Sequence, residues 1–171
     1  MENPRHNIFI NIDESSIMKS DQERLAPNSI CFGCGPANTK GLRIRSFEDG
    51  DSYILKYTPE HHHQAFPDVI NGGIIGTLFD CHMNWRAVTH LMKTAGSSVL
   101  TAMTVTANFS ISLKRPTPAN VELIVDAKVL NVENDRIEVE AVMTANGKVT
   151  ATGKGLFVAV KEGHPAYHRW N

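Results

Sequence analysis

The chain has 171 residues, 42% of them hydrophobic and 20% charged, which suits one globular domain with a core of its own. Seventeen basic against eighteen acidic residues leave a formal charge of −1. No net positive field draws the whole molecule to nucleic acid or to an anionic membrane, so neither is an expected partner.

No apolar run approaches the roughly 20 residues that cross a bilayer. The first sixteen residues, MENPRHNIFINIDESS, carry polar and acidic side chains where a signal peptide needs an unbroken apolar stretch. The cytoplasm is therefore the expected compartment. Cys31, Cys34 and Cys81 are an odd count in a chain this long, which argues for reduced thiols over a disulfide scaffold.

Residues 1–28 lack a steady period and read as an N-terminal extension, with a short helix over Glu14–Leu25. Cys31-Phe-Gly-Cys-Gly-Pro-Ala-Asn38 is dense in Gly, Pro and Asn and reads as an irregular turn. Leu42–Phe47 and Tyr53–Tyr57 flank Asp49-Gly50 and form a hairpin. Glu60–Ile70 follows as a loop.

From Gly72 the apolar residues Ile74, Ile75, Leu78, Phe79, Trp85, Val88 and Met92 recur at helical spacing, predicting a helix of about twenty residues to Lys93. Gly96, Ser97 and Ser98 end it. Met103, Val105, Ala107, Phe109, Ile111 and Leu113 then alternate with polar residues, predicting a strand with that set on its buried face. Pro116 stops it. Two more alternating runs follow, Val121–Val129 and Ile137–Met143, with a turn at Asn131–Asp135. Asn146-Gly147 marks a hairpin into a last strand that ends near Val160. Residues 163–171 form a C-terminal tail.

Two strands, one long helix and four strands in meander predict an α+β domain over residues 29–162. In it a curved antiparallel sheet wraps a helix that is apolar on more than one side.

Asp80 is the anomaly of that helix, because a buried carboxylate needs partners or a function. Gly73, Gly76, Thr77, Asp80, Asn84 and Ala87 share its stripe at steps of three and four. All are small or polar. Glycines beside an acid suggest close approach of a ligand or of another backbone. Asn71-Gly72-Gly73 presents amide N–H groups at the positive end of the helix, where an oxyanion can be held, while Asn71 also makes a good cap. Lys114 and Arg115 read either as solvated residues at a sheet end or as contacts for phosphates. Cys31-x-x-Cys34 is half of a zinc site. No second pair exists, and Cys81 or His61–His63 would have to complete it, so no metal and no cofactor is expected. The three histidines read as a polar loop, and His82 as a satisfied core or interface histidine.

Together, Cys31-Phe-Gly-Cys-Gly-Pro, Gly41-Leu, His63-Gln64-x-x-Pro67, Gly72-Gly73-Ile-Ile-Gly-Thr-Leu-x-Asp80 and Asn108-Phe-Ser-Ile-Ser-Leu-Lys-Arg115-Pro116 resemble the PaaI-like branch of the hotdog thioesterase superfamily, over roughly residues 30–160. The resemblance implies the hotdog fold, with five or six antiparallel strands around the helix. It implies a homodimer with sheets joined edge to edge, active sites at the subunit interface, and tetramers in some members. It implies hydrolysis of an acyl-CoA, with Asp80 as general base or nucleophile, the Gly72 amide polarising the thioester carbonyl and Gln64 placing carbonyl or water. Asn84 and Ser98 stand where some members orient water across the interface. Asn71 departs from the usual histidine at the helix start and cannot titrate near neutral pH. Two other classes compete: a hotdog hydratase or dehydratase, which would recruit His63, and a non-catalytic acyl-CoA-binding module.

Overall fold

The computed structural model describes residues 18–101 and 103–167; the start of the helix expected from Glu14 and the end of the C-terminal tail lie outside them. In chain order the elements are α1 (Asp21–Leu25), β1 (Ser46–Asp49), β2 (Ser52–Tyr57), β3 (Gln64–Phe66), β4 (Val69–Ile70), α2 (Gly72–Thr94), β5 (Thr104–Leu113), β6 (Leu123–Glu133), β7 (Arg136–Ala145) and β8 (Lys148–Ala159). Six strands form one antiparallel sheet in the order β1-β2-β6-β7-β8-β5. The α+β class and the sheet around a helix are as expected.

Alternation dictates the sheet's inner face. Leu123, Val125 and Ala127 of β6, and Ile137, Val139, Ala141 and Met143 of β7, are buried, and the residues between them are more exposed. Against this face lies α2, whose Leu78, Phe79, Met83 and Trp85 are buried on several sides. A helix mostly buried by the sheet, with its start and the Asp80 stripe less covered, is what its apolar content requires. Phe79 packs so tightly on β8 that a Cβ at Gly153 would fall 2.6 Å from Phe79 Cδ1. Only a residue without a side chain fits under that ring.

The segment read as an extension contributes α1, closed by a Ser20–Glu23 capping box and packed into the domain. Gln22 is fully buried and makes two hydrogen bonds to Ser46: its Nε2–H donates to Ser46 Oγ (3.0 Å) and its Oε1 accepts from Ser46 N–H (2.8 Å). Tyr53 donates its hydroxyl to Asp21 (3.1 Å).

Four local differences have local causes. The first strand begins at Ser46 because Arg43 sits at φ 50°, incompatible with an extended run. Its neighbours Leu42 and Ile44 hydrogen-bond instead to the carbonyls of Phe32 and Gly33. The expected loop 60–70 folds into a 3-10 turn over His61–His63 and the small hairpin β3–β4, with Asp68 at φ 66° in its turn. The turn expected at Asn131–Asp135 tightens to Asn134-Asp135, because a bulge between Val129 and Asn131 absorbs one residue and lets β6 run on to Glu133. In β5 a second bulge, at Ala107, shifts the register between Thr106 and Asn108. It reverses which residues face the helix: Thr104 and Thr106 before it, Ile111 and Leu113 after it.

Candidate active site

Asp80 is half-buried on α2. It lines a cavity of about 280 Å³ with Cys31, Cys34, Asn84, Trp85 and Thr106 among its walls. The bulge in β5 brings its partners. Thr106 donates its hydroxyl to Asp80 Oδ1 (2.7 Å), Asn84 Nδ2 donates to Thr106 Oγ1 (3.3 Å), and Thr104 donates to Asn84 Oδ1 (2.6 Å). Thr106 and Asn84 each donate once and accept once in this line, so the order fixes the direction of its protons and makes the carboxylate the acceptor at its end. The network orients one carboxylate edge and leaves its groups beside a cavity. Neither threonine stands out in the sequence, because strict alternation places both on the outer face of the strand.

At the start of α2, Asn71 caps the helix as expected, its Oδ1 accepting from Gly73 N–H (2.7 Å). The Gly73 amide is thereby used. Among the described residues none accepts from Gly72 N–H, which leaves that amide pointing out of the helix end. Of the helical glycines only Gly73 answers crowding within the chain, since a Cβ there would fall 3.0 Å from the capping Asn71 Oδ1. A Cβ at Gly72 would meet Leu113 at 3.5 Å and one at Gly76 would meet Ile111 at 3.6 Å, both ordinary contacts.

The axial distance from Gly72 to Asp80 corrects the simplest reading of the stripe. Eight residues rise about 12 Å along a helix, more than one thioester carbonyl spans. Within a single chain the amide and the carboxylate do not address the same bond.

The other expected site residues scatter. Gln64, on β3, accepts from Asp68 N–H through Oε1 (3.0 Å) and stands apart from the Asp80 cavity. Lys114 and Arg115 follow Leu113, and their amides donate to the Thr150 carbonyl (2.8 and 3.3 Å). Leu113 contacts the helix start, so the basic pair lies beside it. Ser98 belongs to a different hollow, of about 590 Å³, at the far end of α2, where its carbonyl accepts from Arg24 (3.2 Å). That hollow is larger, yet it is not where the carboxylate network sits.

The histidines divide. His82 is fully buried, with Nε2 on the Tyr53 carbonyl and Nδ1 on the Ser46 hydroxyl (both 2.9 Å), and its ring stacks on Tyr53. A carbonyl only accepts, so Nε2 carries the proton and Nδ1 takes the Ser46 hydrogen. Burial lowers its pKa to about 4. His63 accepts at Nδ1 from Glu60 N–H (2.9 Å), lies 3.1 Å from the Tyr57 hydroxyl, and is not on the wall of the Asp80 cavity. A hydratase would lack its histidine beside the acid within this chain.

The third cysteine joins the other two. Cys31, Cys34 and Cys81 have sulfurs within 4.8 Å of one another on the wall of the Asp80 cavity. Donation from the Cys34 and Cys81 thiols pulls the Cys31 pKa far down, and the same bond pushes Cys34 up.

Neither a protein-family model nor a curated protein matches the sequence. Solved structures do. A thioesterase superfamily protein from Shewanella loihica PV-4 is similar over 74% of this chain and 98% of its own, at 25% identity and a TM-score of 0.60. The Escherichia coli PaaI protein of the phenylacetic acid degradation operon is similar over 73% and 85%, at 16% identity and a TM-score of 0.60. A Streptococcus mutans protein solved with acetyl-CoA is similar over 68% and 88%, at 13% identity and a TM-score of 0.57. At these identities the last two speak for the fold alone. The likeness is one of architecture: the chain has the hotdog fold, a six-stranded antiparallel sheet around one long helix, of these thioesterase superfamily proteins.

Proposed function

We propose that the protein hydrolyses an acyl-CoA thioester to the free acid and CoA, as a homodimer whose sites each combine the Asp80 carboxylate of one copy with the Gly72 amide of the other. The observation that carries the reading is the Asp80 carboxylate, oriented by Thr106 at the edge of a cavity. An acid serving only the fold would be closed off by its partners.

The composite site follows from two features. The 12 Å rise between the groups excludes a pairing within one chain. β5 is also an unpaired sheet edge of ten residues, bearing the exposed Phe109 and Leu113. Such an edge invites pairing with its copy, and α2's glycine-bearing start lies over this strand.

The chemistry asks little beyond those groups. As a base, Asp80 takes a proton from water while the oxygen attacks the carbonyl carbon. The Gly72 N–H holds the oxyanion, and on collapse the carbon–sulfur bond breaks and the proton leaves with CoA sulfur. As a nucleophile, Asp80 would form a mixed anhydride, release CoA thiolate and be regenerated by water. Lys114 and Arg115, beside the helix start, suit the CoA phosphates, and Gln64 would place carbonyl or water. A cavity of about 280 Å³ holds an acyl group, not the whole of CoA.

Asp80→Asn keeps the side chain's shape and its acceptor for Thr106. It is expected to keep the fold and to lower thiol release from an acyl-CoA panel at least a hundredfold. Unchanged turnover in the purified variant would remove Asp80 from the reaction. Tight acyl-CoA binding without thiol release from the wild-type protein would leave the binding-module reading instead.

A further inference from the structure

Nothing in the thioesterase reading uses the three cysteines. We propose that Cys31, Cys34 and Cys81 form a tricysteine site for a soft divalent metal ion, zinc by preference, with the fourth coordination position open to the cavity that Asp80 shares.

Geometry carries the inference. Tetrahedral zinc with bonds of about 2.3 Å to sulfur sets its thiolates about 3.8 Å apart. The Cys31 and Cys81 sulfurs are 3.8 Å apart, and all three fall within 4.8 Å of one another. Two come from a C-x-x-C turn, the usual spacing of a zinc-binding pair; the third comes from a helix 47 residues further on than Cys34. A disulfide between Cys31 and Cys81 would need the sulfurs to close to about 2.05 Å.

The backbone of the loop is closely fitted around the sulfurs. Both glycines of the loop are sterically required: a Cβ at Gly33 would fall 2.4 Å from Cys81 Sγ, and one at Gly35 would fall 2.4 Å from Cys31 N. The loop is thus folded for its sulfurs to reach the helix. The other group of potential ligands, Glu60, His62 and His63, is mostly exposed, and the His63 Nδ1 already accepts from a backbone amide. It does not compete.

Three thiolates satisfy a soft ion in charge and type. A site with three protein ligands and one face on a cavity leaves that position to water or to an exogenous thiol. Loading releases the protons of those cysteines that are still thiols. The proposal stands apart from the hydrolytic reading, and its readout is spectroscopic, so either can fail alone.

Full-length protein without a histidine tag, reduced and stripped with a chelator, is titrated with Co²⁺. The expected result is thiolate-to-cobalt charge-transfer absorption and tetrahedral visible bands that saturate at one equivalent per chain, are displaced by Zn²⁺, and shift when a small thiol takes the fourth position. Zinc should also protect the three cysteines from alkylation. Cys81→Ser should abolish the charge-transfer band, with circular dichroism reporting its fold; if it does not fold, the wild-type titration and the alkylation test decide. Absence of the band in folded wild-type protein would overturn the site, as would a band that survives Cys81→Ser, or thiols that zinc leaves equally reactive.

Discussion

At the residue scale, the carboxylate matters less by its presence than by what holds it. Thr106 fixes Oδ1, Asn84 fixes Thr106 and Thr104 fixes Asn84. Thr106→Val keeps the shape and deletes one hydrogen bond to a charged group. It is expected to lower turnover roughly tenfold with little change in KM, measured by steady-state thiol release; an equal loss in KM would mean that Thr106 holds substrate instead. His82 reports on stability. Its pKa is about 4 in the fold, against 6.5 ordinarily, because burial disfavours the charged ring. The unfolded chain takes up its proton near pH 6.5, the folded chain only near 4. Protons therefore favour unfolding across that window, and stability should rise by about 3 kcal/mol from pH 4 to 6.5 and then level off. Denaturant unfolding at a series of pH values measures this. His82→Gln should flatten the part due to the ring.

At the element scale, Gly153 shows how tightly the helix sits on the sheet. Gly153→Ala forces the Phe79 ring off β8 and should cost about 1–3 kcal/mol in denaturant unfolding. A loss below that range would mean that the ring shifts freely. Much of this arrangement is legible in the amino-acid sequence. Helical spacing marks α2 to within a residue of its end, Asn146-Gly147 marks the β7–β8 turn, with φ of 50° and 72° at those positions, and the odd acid on a stripe of small residues is found on a cavity wall. What is not legible around Asp80 has mainly one cause. The bulge at Ala107 inserts one residue, and after it every side chain of β5 changes face. Strict period two therefore places Thr104 and Thr106 outside, whereas they form the carboxylate's support. Cys81 joins Cys31 and Cys34 for a similar reason: spacing along the chain does not show which loop closes on a helix 47 residues further on.

At the scale of the whole molecule, the charge balance of −1 leaves anion binding to local groups, and no helix among the described residues is long and apolar enough to cross a membrane. In the proposed reading the open edge of β5 and the roughly 12 Å between amide and carboxylate belong to one assembly, a two-fold pair in which each copy would complete the other's site. That assembly makes the central claim testable without solving it. Gly72→Pro deletes the one amide in question at the first helical position, where proline is tolerated, and Asn71 at φ −66° and ψ 135° already has the backbone that precedes proline. Gly72→Pro and Asp80→Asn should each be nearly inactive and still folded. Thiol release is then measured after the two variants are unfolded and refolded together. One site of each mixed dimer regains both groups, so random pairing should return about a quarter of the wild-type rate per chain. A mixture no faster than its components, or either component turning over like the wild type, would contradict the account.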